Sequence, residues 1–97
     1  MAYDPGAIEA TLAAAVGDEP ALIAELHQAF LDSAHASLQG MERADGQDAW
    51  RIAAWRMKGL AASFGAVRLM AIATEAALAG PGDPELLRRV RRAVERL

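Results

Sequence analysis

The sequence predicts an all-α protein: an antiparallel, up-down-up-down four-helix bundle over residues 1–97, with a short amino-terminal helix capping one end. Three observations carry this. Apolar residues recur at three- and four-residue spacing along the whole chain, the period of a helix with one buried face. Helix-breaking Gly, Pro and Asp clusters divide the chain into five segments, and the turns between them are short enough to force neighbours antiparallel. No segment alternates apolar and polar residues as a strand does, and aromatic residues are only 5% of the chain, which leaves little to build a sheet.

Each element follows from its own residues. In "YDPGAIEATLAAAVG", Asp4 offers an N-cap, Pro5 a first helical position and Gly17 a stop. Ile8, Leu12 and Val16 recur every fourth residue. The second helix restarts at Asp18 and Pro20 and runs to the turn "ADGQ"; about 23 residues make it roughly 35 Å long. Its expected inner stripe is Leu22, Leu26, Phe30 with Ala29, Ser33, Ser37, Leu38 and Met41. The third begins near Asp48 and ends at Phe64–Gly65, with Trp50, Ala53, Ala54, Met57, Leu60, Ala61 and Phe64 inward. The fourth, "AVRLMAIATEAALA", turns Leu69, Ile72, Ala73, Ala76 and Leu78 inward and breaks at "GPGDP". Asp83 caps the fifth, whose inner face is Leu86, Leu87, Val90, Val94 and Leu97. Four matched stripes leave no surplus apolar face, so a monomer is expected.

Composition narrows the function. Ninety-seven residues, 54% apolar and 24% charged, suit one folded core. With no cysteine there is no disulfide, thiolate metal site or thiol nucleophile. No apolar run approaches the ~20 residues of a membrane span. The sequence "MAYDPGAIEA" has no basic and apolar export signal, and a cytoplasmic location is expected. Residues 1–50 hold nine acids and one base (Arg43), residues 51–97 nine bases and four acids. Opposite halves of one fold attract each other, and internal complementarity is favoured over nucleic-acid binding. Arg88, Arg89, Arg91, Arg92 and Arg96 share their helix with Asp83, Glu85 and Glu95, and no reading motif accompanies them. GxSxG, P-loop and GxGxxG motifs are absent, and no cofactor is implied. His27 and His35 are eight residues apart, about 12 Å along one helix, too far to share a metal.

One stretch stands out. In "IAAWRMKGLAASFGA" the indole of Trp55 falls on the polar side of its helix, on a stripe with Arg51, Lys58, Gly59 and Ala62, and Ile52 lies off that stripe. The bland explanation folds the indole over Gly59 and Ala62, which have little side chain to obstruct it.

"AAWRMKGLAASFGAVRL", residues 53–69, resembles the signature of the histidine-containing phosphotransfer (HPt) family, Ala-His-x-Leu-Lys-Gly followed six residues on by Gly-Ala-x-x-Leu. Ala54, Met57 (for Leu), Lys58, Gly59, Gly65, Ala66 and Leu69 occupy the matching positions. The long helix with Phe30 and the "ADGQDAW" turn extend the likeness over most of the chain. The departure is at the family's phosphoacceptor: the histidine position holds Trp55. An indole N–H is a donor only, with no nucleophilic lone pair, so phosphotransfer at Trp55 is chemically excluded and no catalytic residue is assigned. The resemblance implies a degenerate HPt-like protein of a two-component phosphorelay. It would bind a response-regulator receiver domain or a sensor histidine kinase through Arg51, Trp55, Lys58, Gly59 and Ala62, the indole either anchoring or blocking the partner. The alternative is a working phosphotransferase whose histidine was replaced at position 55, or relocated to His27 or His35. Those histidines lack the lysine and glycine at offsets three and four: Phe30 and Leu31 follow His27, Leu38 and Gln39 follow His35.

Overall fold

A computed structural model describes residues 5–17, 19–81 and 83–97, with side chains from residue 8; the expected roles of Asp4 and Asp18 lie outside the described residues. Five helices follow in order: α1 (Pro5–Val16), α2 (Pro20–Glu42), α3 (Gln47–Ser63), α4 (Val67–Ala79) and α5 (Pro84–Glu95). No strand occurs among the described residues.

Local chemistry sets the breaks. Pro20 and Pro84 stand in the first turns of α2 and α5, where a missing N–H costs nothing. The Asp83 carboxylate accepts the N–H groups of Glu85 and Leu86 at 3.1 and 3.2 Å, as expected of an N-cap. Helix α3 ends at Phe64 because Gly65 turns left-handed, φ 73°. That turn lets the Ala66 N–H reach back to the Ala61 carbonyl at 2.9 Å and the Gly65 N–H to that of Ala62 at 3.4 Å, satisfying two terminal carbonyls.

Packing closes α2 to α5 into a bundle. Helix α2 packs against α3 and α5, and α4 against the same two; among the described residues α1 packs against α2 and no other helix. One buried cluster runs through all five helices, with Trp50, Phe30, Ile8, Leu12, Met57, Leu69 and Val90 among its largest members. Phe30 of α2 stacks on Phe64 at the end of α3, centroids 4.6 Å apart. At the other end of that pair, a Cβ on Gly40 would touch Ala53 at 3.5 Å. The Trp50 indole N–H donates to the Ala76 carbonyl at 2.7 Å, which ties α3 to the backbone of α4.

Three expectations are corrected. On α2, Leu22, Ala29 and Ser33 are exposed, and Ala34 is buried instead. The inner line is Phe30, Ala34, Leu38 and Met41, one residue step (100°) from the stripe drawn through Ser33. At 23 residues, α2 is also longer than its neighbours, and none of its first ten residues is fully buried. On α4, Ala77 is buried and Leu78 is 80% exposed. Leu69, Ile72, Ala73 and Ala76 face the core; Ala77, four residues after Ala73, stays on that side, whereas Leu78, nine after Leu69, comes out about 180° from it. Third, the apolar stripes are not fully matched: Leu78 and Val67 (67% exposed) leave α4 with an uncovered apolar face.

The charge halves meet only in part. Arg91 of α5 pairs with Glu42 of α2 across the two halves. Arg89–Glu75 at 2.9 Å and Arg88–Glu85 at 2.6 Å lie within the basic half. No described helix is long and apolar enough to cross a membrane.

Candidate functional site

Helix α3 is oriented by what it buries. Trp50, Ala53, Ala54, Met57 and Ala61 face the core, so the opposite side must face out. There Arg51, Trp55, Gly59 and Ala62 are exposed and Lys58 is half-buried. Trp55 is 43% exposed, a large apolar surface to leave in water when the same helix buries Trp50 completely.

The indole does not lie on Gly59. Beyond its chain neighbours and the helix's own backbone, no atom comes within 4 Å of the place a Cβ would occupy at Gly59, so the indole does not fold over it as expected. The Lys58 ammonium instead sits 4.5 Å from the centroid of the Trp55 ring. Attraction between a cation and the negative face of the ring, about 0.5–1 kcal/mol at an exposed site, draws the two side chains together and leaves the glycine open. Gly59 thus sits inside a helix, costing roughly 0.5–1 kcal/mol relative to alanine, in a place where the fold has room for a side chain.

Ile52 belongs to this surface and was missed. It is 54% exposed, three residues before Trp55 and seven before Gly59, hence only about 60° and 20° from them around the helix. The i+7 relation to Gly59 was the available signal. Ser63 completes the end of the face; its hydroxyl donates to the Gly59 carbonyl at 3.0 Å, so covering it strands no donor. The charges are one-sided. Arg51, Arg56 and Lys58 form no ion pair among the described residues, and Asp48 is the single acid of α3. The surface is basic with an apolar centre of Trp55 and Ile52, suited to an acidic protein surface.

The two histidines lie elsewhere, on α2. Nε2 of His27 is shut off from solvent and bonds to nothing among the described residues. His35 is exposed but has Leu38 and Gln39 where a lysine and a glycine are wanted. Among the described residues no three His, Asp or Glu side chains come together as a metal site.

Comparison of the chain with protein-family models, curated proteins and solved structures finds no match in any of the three.

Proposed function

We propose that this chain is a degenerate HPt-like domain that docks a response-regulator receiver or a sensor histidine kinase of a two-component phosphorelay without carrying phosphate. Its bundle is read as antiparallel, up-down-up-down, with the docking face on α3 and the cytoplasm as its place of work. One observation carries the proposal. Gly59 is an exposed mid-helix glycine with open space around its missing side chain, next to the indole that stands where the HPt signature has its histidine. Since the bundle has no steric use for that glycine, clearance for a second protein is the reason left. Arg51 and Lys58 would face the acidic phosphorylation pocket of a receiver, and Trp55 would supply the apolar anchor. With 43% of the residue exposed, about 100 Å² remains to be covered, worth roughly 2.5 kcal/mol at ~25 cal/mol per Å². Phosphoryl transfer is lost because the indole nitrogen has no lone pair to attack with.

The test is a titration of receiver domains and kinases from the source organism against the wild-type chain, Trp55→Ala and Gly59→Trp. An anchoring indole gives binding that weakens tens-fold in the alanine variant and disappears when Gly59 is filled. Tighter binding by Trp55→Ala means the indole blocks the pocket, and no binding to any of these partners sinks the proposal. Incubation with an active kinase should leave the wild type unlabelled, while Trp55→His gains acid-labile phosphate. Labelling of the wild type that His35→Ala abolishes would show a relocated acceptor instead.

A further inference from the structure

The outward side of α4 carries Val67, Ala71, Thr74 and Leu78, spaced four, three and four residues apart, the repeat of a helix that packs along another helix. Val67 and Leu78 are 67% and 80% exposed, Ala71 is exposed and Thr74 half-buried. Helix α4 packs against α3 and α5, and neither covers this stripe. The stripe is also prepared for covering. The Thr74 hydroxyl donates to the Met70 carbonyl at 2.8 Å, so no donor would be stranded on burial.

We infer that this stripe is a self-association seam on which α4 of a second copy packs antiparallel about a two-fold axis. The charges beside the stripe choose the occupant. Arg68 and Glu75 follow Val67 and Thr74 by one residue each and are seven apart, so both flank the same side of the seam. In an antiparallel two-fold pair Arg68 of each copy faces Glu75 of the other, giving two opposite-charge contacts from one of each residue, the self-complementarity that an isologous interface requires. A parallel pair offers neither charge an opposite partner. Glu75 already meets Arg89 of its own chain at 2.9 and 3.2 Å, and its side chain is 54% exposed, with room for a second guanidinium. On the other flank Ala77 is buried in its own core and Met70 is half-buried, so no charge opposes the pairing there. Val67 would then lie against the second copy's Leu78, and Ala71 against its Thr74, with the small residues at the centre allowing close approach. The α3 face does not suit a second copy, because Arg51, Arg56 and Lys58 would repel their counterparts.

The seam is one helix of 13 residues, about 20 Å long, at the low end of specific interfaces. Association is therefore weak, in the high-micromolar range, and concentration-dependent. The chain has no cysteine, so engineered ones report cleanly. Under mild oxidation of concentrated protein, a mixture of Val67→Cys and Leu78→Cys should give a cross-linked dimer holding one of each. Either variant alone should not cross-link, since identical positions lie about 16 Å apart along antiparallel helices and a disulfide needs Cα atoms within about 7 Å. Sedimentation of the unaltered chain should show mass rising with concentration, and Leu78→Glu should weaken that association at least about tenfold, the usual effect of losing a buried anchor. Leu78 is too exposed for this change to unfold the bundle, which a circular dichroism melt checks. Cross-linking of Val67→Cys with itself, a single-chain mass at every concentration, or association unaffected by Leu78→Glu would each overturn the inference.

Discussion

Replacing Gly59 by alanine separates what the fold needs at this position from what a partner needs. The backbone at Gly59 is not in the left-handed region, and an added Cβ meets nothing within 4 Å. Alanine therefore fits without strain. Glycine inside a helix is about 0.8–1.0 kcal/mol less favourable than alanine, partly because the unfolded glycine chain has more conformations to lose. For a domain of this size 1 kcal/mol corresponds to roughly 4–8 °C in Tm, so Gly59→Ala should melt about 3–8 °C higher by circular dichroism. If clearance for a docked protein is the reason for the glycine, the same variant binds the proposed receiver or kinase several-fold more weakly. Stability and affinity then move in opposite directions, which no purely structural role produces. A lower melting temperature would show that something packs against this position. Higher stability with unchanged affinity would remove the clearance reading on which the proposed docking rests.

Two further outcomes follow from the same structure. Trp50→Phe removes the indole donor to the Ala76 carbonyl and leaves a void where a ring 1% exposed had been; urea unfolding should show a loss of about 2–3 kcal/mol, and a loss under ~0.5 kcal/mol would refute the tie between α3 and α4. The hydrogen bond and charge of Arg88, aided by Arg92 and Arg89, hold the Glu85 carboxyl below its ordinary pKa. A lowered folded pKa contributes stability that is present above the ordinary value and is lost as pH falls through the lowered one. The stability advantage of the wild type over Glu85→Gln should thus be present at neutral pH and fade as acid carries the pH through the lowered pKa; a pH-independent difference would contradict the pairing.

The helices and their ends were legible in the sequence because their signals are local. A proline in the first turn, Asp83 reaching two backbone N–H groups and Gly65 in a left-handed turn act within a few residues, whatever the rest of the chain does. The outward position of Trp55 was legible for a related reason: the Trp50, Ala53, Ala54, Met57 and Ala61 stripe is strong enough to set the rotation of α3, and the opposite face follows by geometry. Rotation was not legible where neighbouring residues compete on nearly equal terms. Ser33 or Ala34, and Ala77 or Leu78, differ by one 100° step, and only the helices packed alongside decide which one is covered. In α4 that choice went against hydrophobicity, because the rotation that buries Leu69, Ile72 and Ala73 keeps Ala77 inward and turns Leu78 outward. Side-chain placement on the outward face of α3 was tertiary information as well. The indole had Gly59 or Lys58 to settle on, and the attraction of the ammonium for the ring drew it away from the glycine. The sequence by itself determined which segments are helical and which face of α3 looks out; the packed structure decided how each helix is turned, because burial is a property of what lies beside a residue and not of the residue alone.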